Sequence, residues 1–420
     1  MKPKLLSTLP TYTSALFRAD LIAGVTVAMV ALPLSLAIAI ASGADPATGL
    51  TTAVVAGFII SLLGGSRVQI GGPTGAFIVV VFGVIAEYGY DGLVLATLMA
   101  GVILLIAGYF KFGSLVRHIP EAVIDGFTIG IAIIIATSQL KDLFGLTAET
   151  LPADFFEKIT ALWAARATVN PAALSVGLIA MILIIALRRA APRYPGLILA
   201  LAICSAAVAF LSLPVDTLYS RFGALPDCLP LPRIPTISPD RITELLPSAL
   251  VIAFLAGVES LLSATVADRM SGGRYRPNAE VLAQGFANIG SALFGGLPAT
   301  GAIARTATNV QAGGKTPVAG LVHAMTLLLV MMVAAPLAGY FALPALSALL
   351  ILTAWNMSEP HKWRQHLAAR RSDKLLLLLT MVLTVVADLT VAIGVGVALG
   401  LAIRLRRRNV PDADWTPPER

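Results

Sequence analysis

Leu62-Leu63-Gly64-Gly65-Ser66-Arg67-Val68-Gln69-Ile70-Gly71-Gly72-Pro73-Thr74-Gly75-Ala76 decides how this chain folds, because a shortened echo of it returns as Leu293-Phe294-Gly295-Gly296-Leu297-Pro298-Ala299-Thr300-Gly301-Ala302. The two lie 231 residues apart. Each follows an apolar run and precedes a stretch too short to cross a bilayer alone. Proline removes a backbone donor and glycine loosens a helix. In lipid, such backbone survives only where protein or a water-filled cavity receives its free polar groups. Paired, Gly/Pro-interrupted apolar segments in corresponding positions of two halves point to a substrate site between broken helices.

Working outward, the composition agrees. Of 420 residues, 57% are hydrophobic and 13% charged, with a mean hydropathy of +0.86. So few charges cannot cover a water-soluble body of this length, and the chain reads as a polytopic all-α membrane protein. The net charge of +7 does not indicate nucleic acid, because the cations cluster at the ends of apolar runs. Cys204 and Cys228 sit in unlike settings and give neither a disulfide framework nor a metal site. Nothing resembles a nucleotide loop, a catalytic triad or a metal cluster, which argues against an enzyme and for no cofactor beyond a coupling ion, H⁺ or Na⁺.

Fourteen membrane elements are expected, at 20–41, 46–64, 73–88, 91–110, 119–140, 170–188, 195–213, 242–267, 278–297, 302–312, 316–338, 340–357, 373–388 and 389–405, the last two split around Asp388. With the amino terminus in the cytoplasm, 23 lysines and arginines fall inside and 6 outside, as the positive-inside rule requires. Both termini are then cytoplasmic, with loops 141–169 and 214–241 outside. Fourteen divides as seven plus seven, and an odd number inverts the second half. The expected organisation is a cytoplasmic segment 1–19, a first repeat 20–213, an extracytoplasmic linker 214–241, a second repeat 242–405 and a tail 406–420. Elements three and ten are half-helices. Their amino ends, with free N–H groups and partial positive charge, face each other and favour an anion.

Charges deep in a span are functional candidates by default. Two stand out. Arg305 follows the second break; it reads as a fixed cation for the anion, or else as a tie holding the half-helix. Glu259 lies well inside the eighth span; it reads as the coupling-ion site, or as an anchor to the tenth element. Ser263, one turn on, shares its face. The candidate substrate residues are Thr74, Gly75 and Ala76 at one break and Thr300, Gly301, Ala302 and Arg305 at the other. Thr74 and Thr300 also suit N-capping of the half-helices, which is compatible with ligand contact.

Ser66 to Gly75 resembles the element-three signature of the SulP family of anion transporters. So does Asn278 to Gly320, above all Gly295 to Asn309 and Gly313 to Gly320. The likeness runs from about Asp20 to Arg408. It implies a core domain of elements one to four and eight to eleven, a gate domain of the rest, and transport of sulfate, bicarbonate, chloride or dicarboxylates by elevator-like core motion. It also places Arg305 on the anion-site arginine. Three departures accompany it. Leu34 and Ile38 stand where many animal members carry Gln and Phe. Glu259 stands where the bicarbonate-transporter branch holds sodium with Asp, which shifts the expectation toward protons. The family usually continues into a cytoplasmic STAS domain, whereas this sequence stops at Arg420, either as a truncated piece or as a member lacking that domain. The expected protein is a secondary transporter of a small inorganic anion or carboxylate in the bacterial inner membrane, with homodimerisation a candidate. A sodium-coupled bicarbonate symporter, an anion exchanger or channel, and a nucleobase permease are the alternatives; the last lacks its expected acid on the tenth element.

Overall fold

The computed structural model describes residues 2–113, 120–148, 151–190, 195–387 and 389–406. In chain order the helices are α1 (Lys4–Thr8), α2 (Ser14–Ala41), α3 (Pro46–Leu63), α4 (Ile78–Tyr109), α5 (Glu121–Leu143), α6 (Phe155–Ala164), α7 (Pro171–Ala190), α8 (Gly196–Phe210), α9 (Leu218–Phe222), α10 (Pro239–Ser271), α11 (Pro277–Leu293), α12 (Ile303–Gln311), α13 (Val318–Ala338), α14 (Leu343–Met357), α15 (Trp363–Ala368), α16 (Arg371–Val386) and α17 (Leu389–Arg406). Two short strands, β1 (Gly71–Gly72) and β2 (Thr300–Gly301), complete the architecture.

Helices stand close to each expected element, but they are not equal in length. Among the described residues, seven are long and apolar enough to cross a bilayer unaided: Ser14–Ala41, Pro46–Leu63, Gly75–Tyr109, Glu121–Leu143, Pro171–Ala190, Pro239–Ser271 and Val318–Ala338. The expected third and fourth elements are one of these. They run together through Gly89, whose φ of 71° makes a kink that an L side chain resists. The expected break at Asp388 and the tail from 407 onward lie outside the described residues.

Helix contacts sort into two groups. In one, α2, α3 and α13 pack together, α4 packs on α10 and α11, and α12 lies against α10 and α2. In the other, α5 packs on α14 and α16, α14 on α7, α7 on α8, and α16 on α17. Fewer contacts, chiefly α14 and α8 with α2 and α17 with α10, join the groups. Small residues allow the tight approaches inside the first. A Cβ at Gly285 would come within 2.7 Å of Leu105, and one at Gly290 within 2.4 Å of Ile59.

The polar contacts at the helix ends also separate into two sets. Lys4 N donates to Gly64 O, Arg276 Nη1 to Lys2 O, and Lys315 N to Asp20 Oδ1. Among residues expected on the opposite face, Arg221 bridges Asp142 at 2.6 Å and Asp216 at 3.0 Å, and Asn170 Nδ2 donates to Pro214 O. Residues expected on one face of the membrane are thus joined to one another.

Candidate anion site at the paired breaks

The two breaks are hydrogen-bonded together. β1 and β2 form an antiparallel pair with Gly71 opposite Gly301 and Gly72 opposite Thr300, and Ala302 N donates to Ile70 O at 2.8 Å. Each break thereby supplies partners for the other's backbone groups. Both strands run close under buried polar side chains, so that a residue larger than glycine would displace one of them. A Cβ on Gly72 (φ 150°) would sit 2.1 Å from Arg305 Nη1, and one on Gly301 would overlap the Gln69 amide. A single 3₁₀ turn, Gly75–Phe77, leads from the first break into α4, and α12 starts directly after the second.

One helix, α10, holds both breaks. Thr74 Oγ1 donates to Glu259 Oε2 at 2.8 Å, and Thr300 Oγ1 donates to Ala256 O at 2.8 Å. Neither hydroxyl caps its half-helix. The N-cap positions are Thr74 and Ala302, and neither has a side-chain cap bond. Capping from Thr300 fails because that residue is paired in β2, one position too early. Glu259 anchors α10 to the first break, at Thr74, rather than to the tenth element. It remains partly exposed, whereas Ser263 is fully buried and meets Thr306 Oγ1 at 3.2 Å.

α12 is amphipathic in reverse. Its buried residues are Arg305, Thr306 and Asn309, while Ile303 faces outward. Thr306 Oγ1 accepts from Ile70 N at 3.0 Å, and Asn309 Nδ2 donates to Val68 O at 2.8 Å. Arg305 is 0% exposed. Its Nη2 donates to Ser35 Oγ at 3.1 Å and to Pro73 O at 3.0 Å. Its Nε and Nη1 are buried without a partner. No carboxylate among the described residues forms an ion pair with it. A buried guanidinium with free donors, beside helix amino ends whose first N–H groups lack intrahelical partners, is an arrangement suited to an anionic guest.

Sequence reasoning passed over a second polar cluster. Glu280, in the first turn of α11, is fully buried. Its Oε2 accepts from Gly65 N (2.8 Å) and Ser66 N (3.2 Å), and its Oε1 from Ser260 Oγ (3.1 Å) and Gln284 Nε2 (2.9 Å). Gln69 Nε2 donates to Ser260 Oγ at 2.9 Å. This network fixes the loop that carries β1. A glutamate four residues into a span looks like an interfacial charge. The signal that could have found it is the Gly64-Gly65 pair, whose backbone needs acceptors. No group of three or more His, Cys, Asp or Glu side chains among the described residues could hold a metal ion.

Broken helices meeting at a buried arginine that forms no ion pair among the described residues make a site suited to anions, and comparison with known proteins places the chain among anion transporters. The profile of the Sulfate permease family matches residues 17–380, and the chain belongs to that family. It is 43% identical over 90% of its length to the putative sulfate transporter YvdB of Bacillus subtilis, covering 72% of that protein. It is 31% identical over 89% of its length to the bicarbonate transporter BicA of Picosynechococcus, covering 67% of that protein. The transmembrane domain of a cyanobacterial BicA superposes with a TM-score of 0.81 at 31% identity, over 92% of this chain and 98% of that one. Murine Solute Carrier 26 family member A9 shares the fold, with a TM-score of 0.87 at 19% identity over 97% of this chain and 72% of that one. The protein is a membrane transporter and not an enzyme.

Proposed function

We propose that this protein is a secondary active transporter of a small anion of the sulfate, bicarbonate or dicarboxylate class. The observation that carries the proposal is Arg305, wholly buried, with Nε and Nη1 free. The anion sits between the amino ends at Thr74-Gly75-Ala76 and Thr300-Gly301-Ala302 and accepts from these nitrogens. Because the Thr300 hydroxyl and the Ala302 N–H already serve protein acceptors, the guanidinium and the first turn after Thr74 supply most of the donors. The names of the relatives, a putative sulfate transporter and a bicarbonate transporter, favour those two anions.

The two helix groups are the core and the gate. Residues 20–213 and 242–405 are inverted repeats joined by 214–241, with both termini in the cytoplasm of a bacterial cell. The core carries the anion across by sliding against the gate, which suits the sparse packing between the groups. Glu259 is the coupling residue. It lies one hydrogen bond from Thr74, which heads the half-helix. Protonating it removes a negative charge beside the site. At an effective dielectric of about 20, two unit charges about 6 Å apart repel by about 3 kcal/mol, so proton and anion binding assist each other, and reciprocally.

Sodium in place of the proton is the second reading, favoured by the convergence of two oxygens, Thr74 Oγ1 and Glu259 Oε2, at 2.8 Å. The deciding experiment is counterflow and uptake in proteoliposomes with sulfate, bicarbonate, chloride and fumarate under imposed gradients. Uphill accumulation driven by an inward proton gradient without sodium is expected. Flux that only runs downhill would refute a coupled carrier and leave a channel.

A further inference from the structure

α6 carries a lysine in an unusual place. Lys158 is 4% exposed. Its Nζ lies 5.1 Å from the centroid of the Phe82 ring, and no carboxylate among the described residues forms an ion pair with it. Burial pushes its ammonium below the usual lysine range, against the opposing field of Asp154. Desolvating a lysine that no described carboxylate reaches as an ion pair is costly, and the ring face offsets part of that cost.

The partners come from different helix groups. α6 packs on α5 and α16, in the second group. Phe82 stands two turns beyond Gly75, in the helix that begins at the candidate anion site, and packs against Gly43 at the turn between α2 and α3. Elsewhere along the boundary, a slot lined by Ala37, Ile40, Gln139, Asp142 and Ser347 separates α2 from α5 and α14. It has room for about one water. The boundary between the groups is therefore shut on the side where Arg221 meets Asp142.

We infer that Lys158 is a cation latch: its ammonium, seated on the Phe82 ring, holds the two helix groups together on this side and must leave the ring before the slot can open. The assignment rests on the two-group carrier reading proposed above.

The test is the labelling rate of Ser347→Cys by a membrane-impermeant maleimide, in the full chain with Cys228→Ser, in oriented vesicles exposing the Arg221 side. Cys204 is buried and serves as the unlabelled reference. Lys158→Met keeps the apolar stem and removes the cation. It should raise the rate about tenfold, the loss of one desolvated cation–π contact. Lys158→Arg should stay within about twofold, and Phe82→Leu should behave like Lys158→Met. Melting temperatures guard against misfolding. A Lys158→Met rate equal to that of the parent overturns the latch, as does an equal rise in Lys158→Met and Lys158→Arg, which would make the contact packing alone. The measurement needs no anion, so it stands or falls separately from the binding role of Arg305.

Discussion

Replacing Arg305 with alanine separates an anion site from a structural tie. The guanidinium makes two bonds through Nη2 and none through Nε or Nη1. Of the two acceptors, Ser35 keeps a bond of its own, donating to Ala31 O at 2.7 Å, so Arg305→Ala strands only Pro73 O. One stranded buried acceptor costs about 1–3 kcal/mol, and loss of an unpaired buried charge offsets part of that. The ligand-free variant should therefore fold and melt near the parent. Anion binding should not survive as well. One charged hydrogen bond is worth about 1.5–3 kcal/mol, or about ten- to a hundredfold in affinity. At an anion concentration about 100 times the parent Kd, the parent gains about 2.7 kcal/mol from ligand, whereas the variant gains about 0.4–1.4. The assay is a thermal melt of purified protein against sulfate and bicarbonate, paired with a direct titration. A variant that folds and keeps the parent's ligand-induced stabilisation would refute the site and make Arg305 a tie between α12 and the first break.

Glu259→Gln mimics the protonated carboxyl, so it should keep counterflow and lose accumulation driven by pH; uptake by a Gln variant that still follows an imposed proton gradient would remove Glu259 from the coupling. Glu280→Ala strands two backbone N–H groups and two side-chain donors, and should destabilise the fold by about 3–5 kcal/mol, read as a lowered melting temperature, while Glu280→Gln costs less. Cys228 is exposed in the segment after α9 and should react with an impermeant thiol reagent from outside the cell; protection there, with labelling only after permeabilisation, would invert the proposed orientation.

Much of this was legible in the sequence because membrane helices announce themselves by composition. The limits of α3, expected at 46–64 and found at Pro46–Leu63, follow from an N-cap aspartate and a closing glycine pair. The breaks and Arg305 were legible because proline, glycine and charge are all costly in lipid. The pairing of the breaks was not, since a strand of two glycines has no pattern to read and its partner lies in the other half of the chain. The same reason hid the duties of Thr74 and Thr300. A hydroxyl beside a helix start suggests a cap, and only the position of α10 shows that Glu259 and Ala256 take the bonds instead. Lys158 read as one more outer cation because burial in a connecting segment depends on what folds over it.

The strand pair between Gly71 and Gly301 also bears on how the protein is made. About 230 residues separate the partners. At a synthesis rate of about 5–20 residues per second, the first break waits about 12–46 seconds for the second to leave the ribosome. During that time Ile70 O and the glycine backbone of the break are without their native partners, and the Gly65 and Ser66 amides also await their acceptor Glu280, which is nearly as late. The nascent first half is thus an unfinished guest of the bilayer, dependent on water or on the insertion machinery to cover its exposed amides. Synonymous changes that slow translation between the two breaks should lengthen that exposure and lower the yield of protein without altering a single side chain.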